Sequence, residues 1–452
     1  MKRFNGESDF LEGPVLSKIL IFSLPIFLGM VFQTFYNMVD SIVVGKYVSA
    51  DALAAVGSTS TISMLLVGIM AGFPTGASVV AAQFLGAGQK AKIKPTISTT
   101  FWFLVVFSVI LMAVGIFLSG NIMHWVNVPE NIYADTVTYF RIYIMGLLFM
   151  ALYNFFAAFL RSVGDSRTPL IFLIISSVLN IFGDLFFVLV LKMGVAGVAW
   201  ATVIAQGISV VLCILYTSRK IEYFQFGKGE LVFDRSLFGD ILRLGLPSGI
   251  QASVAGMGMV LVQSLINSYG SVSIAAYTAA AKMEQITNLP MNGVAQGLAL
   301  FIGQNIGAGK EDRAKNGMWK STIFVVAVSV LMSVMILALG PYLMQMFVNA
   351  EDAEVITIGA AFMRRWAPLI FLHAIAECVI SFLRGSGDSI FSMISMFFDL
   401  ITRAVMAYIF ARVFGMGFMG IAWAIPCGWL MSMIASLLRY LSGRWRLMSV
   451  VK

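Results

Sequence analysis

Gln83-Phe84-Leu85-Gly86-Ala87-Gly88 recurs as Gln304-Asn305-Ile306-Gly307-Ala308-Gly309, 221 residues further along the chain. Leu24-Pro25 recurs as Leu246-Pro247 at an offset of 222. Arg161-Ser162-Val163-Gly164-Asp165 recurs as Arg384-Gly385-Ser386-Gly387-Asp388, and Gly194-Val195-Ala196-Gly197-Val198-Ala199-Trp200 as Gly417-Phe418-Met419-Gly420-Ile421-Ala422-Trp423, both at 223. The register therefore holds over roughly two hundred residues, and the second half is a diverged copy of the first.

Composition places both copies in a bilayer. Of the 452 residues 59% are apolar and 12% charged, and the mean hydropathy is +0.90, which excludes an ordinary soluble domain. Residues 52–89, 95–129, 193–218, 244–281, 321–350 and 413–438 contain no Asp, Glu, Lys or Arg, so each run is long enough to span once. The net charge of +8 is spread over short loops rather than gathered in a patch, so no nucleic-acid partner is expected. Cys213, Cys378 and Cys427 lie in apolar segments without CxxC spacing, which argues against a disulfide framework or metal site. No DDxxD, HExxH or Walker A motif is present, so neither an enzyme nor an ATP-driven pump is expected. No cofactor is expected either. Met1–Ser17 is too polar for a cleavable signal, and Lys18 leads into a full span.

The pattern predicts an all-α integral membrane protein of twelve helices, at about 16–44, 53–82, 93–118, 131–160, 168–191, 195–217, 237–268, 273–302, 319–340, 354–383, 390–413 and 419–441. It divides into an N-lobe at 1–218, a cytoplasmic linker at 219–236 and a C-lobe at 237–452. Lys2, Arg3, Lys90, Lys92, Lys94, Arg161, Arg167, Arg219, Lys220, Lys310, Arg313, Lys315, Arg439, Arg444 and Arg446 fall at alternate connections, whereas Lys46, Lys192 and Arg412 mark the opposite ones. The positive-inside rule then puts both termini in the cytoplasm.

Ionisable groups inside such spans are costly and are functional candidates by default. Asp40 follows 21 uncharged residues, with Gln33, Tyr36 and Asn37 on the same helical face at seven, four and three positions before it. Asn180 and Asp184 share a face of outward-running helix 5, Thr202 lies roughly eight residues from the outer end of helix 6, and Tyr139 lies on inward-running helix 4. Counting about 1.5 Å per residue brings Asp40, Tyr139, Asn180, Asp184 and Thr202 to a similar outer depth. Two carboxyl groups in low dielectric do not comfortably hold two negative charges, so such a pair takes a proton or a cation. The alternatives are a purely structural hydrogen-bonded network, and an Asp40 that merely reaches the outer headgroups.

The second half does not copy this set, because Asn180 maps to Arg403 and Asp184 to Ala407. Asp399 and Arg403 are spaced for an intrahelical ion pair. Glu284 could bind a cationic substrate, take up a proton, or pair with another helix. His373 and Glu377 share a face of helix 10, where a neutral, hydrogen-bonded histidine is the commoner case.

Leu24-Pro25 followed by Asn37-Met38-Val39-Asp40, the paired Gly-Ala-Gly, the paired Arg-x-x-Gly-Asp and the paired Gly-x-x-Gly-x-Ala-Trp together resemble the multidrug and toxic compound extrusion (MATE) family over nearly the whole chain. The resemblance implies two six-helix lobes related by a pseudo-two-fold axis, a central cavity, and export of organic cations against H⁺ or Na⁺. Asp40, Tyr139, Asn180, Asp184 and Thr202 look like the N-lobe ion site of the DinF-like prokaryotic branch, with Asp40, Asn180, Asp184 and Thr202 able to hold Na⁺. Gln33, Tyr36 and Asn154 resemble substrate-cavity positions, and Asn37 and Glu284 join them as expected substrate contacts. The acidic residues of the NorM-like branch fall here near Ala255 and His373, so no C-lobe Na⁺ site of that kind is expected. The expectation is an inner-membrane antiporter, monomeric, for amphipathic and mostly cationic small molecules. The rival is a lipid-linked oligosaccharide flippase of the same superfamily, which carries more helices and a cationic cavity.

Overall fold

The computed structural model describes residues 10–349 and 351–451, the side chains of residues 50, 61 and 255–261 excepted. Lys2 and Arg3, and the side chain of Ala255, lie outside the described residues. Twelve helical runs follow one another within the described residues: α1 (Val15–Tyr47), α2 (Ala50–Gly86), α3 (Ile93–Trp125), α4 (Glu130–Met145 and Leu147–Ser162), α5 (Arg167–Leu185), α6 (Gly194–Lys220), α7 (Arg235–Asn267), α8 (Ser271–Gly307), α9 (Glu311–Met344), α10 (Ala353–Trp366 and Ile370–Ser386), α11 (Ser389–Tyr408) and α12 (Phe418–Leu441). Among the described residues nine helices, and a tenth if the two α4 segments form one span bent by 43°, are long and apolar enough to cross a bilayer. Of the remaining two, α8 has the length, but Lys282, Glu284, Asn288, Asn292 and Gln296 dilute its hydropathy.

The repeated motifs now have physical causes. Gly-Ala-Gly closes α2 and α8, with Gly88 and Gly309 both at φ 71°. That left-handed turn lets the Gln89 N–H reach Phe84 O (2.9 Å) and the Lys310 N–H reach Asn305 O (2.8 Å), covering carbonyls the helix end would leave bare. The Gly-Asp pair closes α4 and α10 in the same way, with Gly164 and Gly387 at φ 98°. The fifth helix of each half ends in a π-helical turn, Phe186–Val190 and Ile409–Val413. The second glycine of Gly-x-x-Gly lies against that turn: a side-chain carbon at Gly197 would sit 2.9 Å from Phe187, and one at Gly420 2.7 Å from Phe410. Only a bare backbone allows the sixth helix to approach so closely.

Two compact units form, and they exchange part of two helices. One contains residues 28–253 and the other residues 10–27 and 254–452. In the first, Gly72 and Gly76 of α2 receive the backbone of Gly249 and Gly245 from the beginning of α7. In the second, Gly293 and Gly297 of α8 receive Phe27 and Ser23 from the beginning of α1. Small residues four apart let helices pack at close range in lipid. The lead-in segments follow the same exchange: the carbonyl of Phe10 accepts from Asn305 and Arg313, while Lys94 of α3 bonds Gln225 O at 2.7 Å and Glu230 at 2.9 Å.

Candidate ion and substrate site

One end of the N-terminal half is packed by Val43 and Val44 of α1, Ala52 of α2, Tyr139 and Ile142 of α4, Val188 after α5, and Val195, Val198, Ala199 and Val203 of α6. This apolar cluster fixes how the helices turn relative to one another and so aims their polar residues. The Asp40 and Asp184 carboxyl groups come together across α1 and α5, and Tyr139 lies close to both. Asp184 is wholly buried, at 0% exposure, and Asn180 one turn before it is buried as well. The Asn180 amide donates to Thr202 Oγ1 at 3.3 Å, and that hydroxyl donates to Val198 O at 3.1 Å. All five expected residues of the N-lobe set are thus gathered within one unit.

Acceptors there outnumber donors. Asp40 Oδ1, Asn180 Oδ1 and both Asp184 carboxylate oxygens are buried without a hydrogen-bond donor. Buried acceptors left in this way are destabilising until something positive reaches them. A single proton shared between the carboxyl groups, or a small cation among the four oxygens, meets that need. Among the described residues no three His, Cys, Asp or Glu side chains converge as a metal centre.

Tyr143 was missed by sequence reasoning. It stacks on Tyr139 with ring centres 6.1 Å apart. With Gly146, Leu147, Met150, Thr202, Val203 and Gln206 it lines a crevice between α4 and α6, at the break in α4. The four-residue spacing from Tyr139 was a usable signal; the break at Gly146 was not, because it falls in an unbroken apolar run.

Of the expected substrate contacts, only Tyr36 lies beside the carboxyl pair. Gln33 and Asn37 are exposed on α1, and half-buried Tyr36 lies beside Asp40 and Gln33. Asn154 is half-buried on α4 and spends its amide on Met150 O at 2.9 Å.

Glu284 belongs to a different cluster. Its carboxylate meets Arg403 at 3.3 Å, and the same guanidinium meets Asp399 at 3.6 Å, joining α8 to α11. Of the alternatives open in the sequence, pairing with another helix is the arrangement present. His373 faces the Trp429 ring, with ring centres 5.5 Å apart.

A family model described as MatE matches residues 25–186 and 247–409. A Bacillus subtilis protein named "Probable multidrug resistance protein YpnP" is 29% identical over 445 residues, 98% of each chain. "Probable multidrug resistance protein NorM" of Thermotoga maritima is 25% identical over 447 residues, 97% of this chain and 95% of its own. Among solved structures, one described as "MATE in the bent conformation" superposes with a TM-score of 0.90 at 23% identity, covering 99% of this chain and 98% of that one. An outward-facing multidrug resistance MATE transporter of the MOP superfamily gives 0.90 at 23% identity and 99% coverage of both.

Proposed function

Because the chain belongs to the MatE family and is a multidrug efflux transporter rather than an enzyme, we propose that it is an antiporter in which H⁺ or Na⁺, bound at Asp40 and Asp184, drives export of amphipathic, mostly cationic compounds. The observation that carries this reading is the cluster of donor-less buried oxygens on two facing carboxyl groups. One ion neutralises one charge and supplies the missing partner. The loaded and empty forms therefore differ in energy, and a gradient biases the balance between two conformations of the protein. Tyr139, Asn180 and Thr202 line the site around the carboxyl groups in this reading.

Gln33, Tyr36, Asn37 and Asn154 are the substrate contacts in this reading. Tyr36 touches both sets, so a bound cation and a bound ion compete for the same negative field. Glu284 contributes to cation preference only through the residual negative charge of its cluster. One polypeptide already contains both repeats, which favours a monomer as the working unit. Lys and Arg at alternate connections favour the cytoplasmic membrane with both termini inside.

Reconstitution in liposomes, with export of a fluorescent organic cation driven by a pH gradient or a Na⁺ gradient imposed separately, tests the coupling. Transport under neither gradient would overturn it. For orientation, on a background lacking Cys213, Cys378 and Cys427, a cysteine replacing Asp312 should label only from inside and one replacing Glu351 only from outside. The reverse pattern would invert the topology.

A further inference from the structure

The repeat relates each member of the N-terminal ion site to a residue of the C-terminal half. At an offset of 223, Tyr139 maps to Phe362, Asp184 to Ala407 and Thr202 to Ile425, all buried and apolar; at 222, Asp40 maps to Val262. Asn180 alone maps to a polar residue, and that residue is the cation Arg403. Its guanidinium is held by two carboxylates that have no counterpart in the first half: at 221, the offset of the Gly-Ala-Gly repeat that ends the same helix, Glu284 answers to Ser63, and at 223 Asp399 answers to Ser176.

We infer that Arg403 is a built-in cation, occupying in the C-terminal half the place an exchangeable ion takes in the N-terminal half, and so confining ion coupling to the Asp40–Asp184 site. Asp40 and Asp184 with one monovalent ion carry −2 + 1 = −1. Glu284 and Asp399 with Arg403 also carry −2 + 1 = −1, but the positive charge is covalently tethered. The C-terminal cluster is thus fixed in the electrostatic state that the N-terminal pair reaches only when loaded.

Its surroundings serve the same end. Tyr277 of α8 adds a hydroxyl beside Glu284 and Arg403. Lys282, two residues from Glu284, lies over the Phe347 ring at 5.6 Å. On α12, Gly428 leaves room for Asp399, whose carboxylate would collide with any side chain there. A tethered guanidinium cannot be exchanged by a gradient, and buried carboxylates that already have a partner have little affinity for a second monovalent cation.

This inference rests on the proposed coupling site, so its test separates the two. The purified full-length protein is followed by thermal unfolding against Na⁺ concentration and against pH. The Asp40→Asn/Asp184→Asn variant should lose the wild-type response; if the response persists there, the proposed coupling site is wrong. Adding Arg403→Asn to that variant installs the residue of the first half and frees Glu284 and Asp399. A new stabilisation by Na⁺ or by acid, about 2 °C or more at saturation, should appear, and Glu284→Gln should abolish it. Arg403→Lys should stay as unresponsive as the parent. A folded Arg403→Asn variant that gains no ion response overturns the inference. Should that variant fail to fold, the ratio of ions to substrate exchanged by the wild type decides: one site predicts the same ratio before and after Glu284→Gln, and loss of a transported ion in that variant overturns the inference.

Discussion

The C-terminal ends of α5 and α11 have the same backbone and opposite chemistry. Both end in a π-helical turn, and both lie against the second glycine of a Gly-x-x-Gly pair. Yet the first carries Asn180 and Asp184, whose oxygens lack donors and have no cation beside them, and the second carries Asp399, whose Oδ1 also lacks a hydrogen bond but lies 3.6 Å from the Arg403 guanidinium, which meets Glu284 at 3.3 Å as well. π-turns are often taken as marks of function. Here the turn occurs in both halves, so it belongs to the duplicated scaffold, and the side chains one or two turns before it decide what each half does. The motif at the end of α4 and α10 makes the same point. Asp165 caps α5 by accepting from the N–H groups of Arg167 and Thr168, whereas Asp388 takes Arg439 at 2.6 Å.

The largest effect should come from the N-terminal pair. Asp40→Asn keeps the shape of the protonated side chain and removes its charge, so gradient-driven export should fall to background while the protein stays folded and in the membrane. Asp184→Asn should do the same, and the double variant should be little worse than either, because the two act as one unit. Export assays on matched amounts of protein measure this; wild-type export by both single variants would break the comparison at its root.

Next comes Arg403→Met, which strands two carboxylates in the bilayer region. Removing one partner of a buried ion cluster costs about 3–5 kcal/mol, so the unfolding midpoint should drop well below that of Asp40→Asn. A smaller drop in Arg403→Met than in Asp40→Asn would mean that the C-terminal cluster is not the structural one. Gly197→Ala and Gly420→Ala should each cost about 1–3 kcal/mol by overpacking the π-turn. Only Gly197→Ala should also weaken ion response, because it alone separates Asn180 from Thr202. Equal loss of ion response in both variants would blur the distinction between the halves.

The smallest effect lies in the linker before α7. The Gly227 N–H and then the Lys94 ammonium hold the Glu230 carboxyl below the usual carboxylate range. Sign follows directly: the contact adds stability above the carboxyl's unfolded value and loses it as pH falls through the lower folded value. Limited proteolysis of residues 225–234 should therefore quicken in the wild type only below that usual range, and at neutral pH in Glu230→Gln. No change on acidification would show that Lys94 grips the linker through Gln225 O alone.

Much of this was legible in one dimension. The helices lie within a few residues of their expected positions, apart from α2, α3, α8 and α9, which extend further into the connections. The extension is understandable, since polar turns such as Glu311–Lys315 satisfy a helix outside the bilayer as well as a loop does. The N-terminal set was found by counting depth along separate helices, which works because rise per residue is constant. Counting could not pair Glu284 with Arg403, because their helices are joined by 119 residues of chain and nothing in either helix encodes which face turns towards the other.

The sequence by itself determined the duplication, the helical runs, the charge bias of the connections and which polar residues share a helix face. These are properties of single helices and of the bilayer's demand that every backbone polar group be satisfied within the segment. Only the tertiary structure decided that α1 and α7 each begin in one compact unit and end in the other, that α4 breaks at Gly146 beside Thr202, and that Arg403 is shared by two carboxylates. Those outcomes depend on the rotation of one helix against another. That rotation is set by where bare glycine backbone permits close approach, as at Gly72 with Gly249 and Gly297 with Ser23, and no periodicity within a single helix carries it.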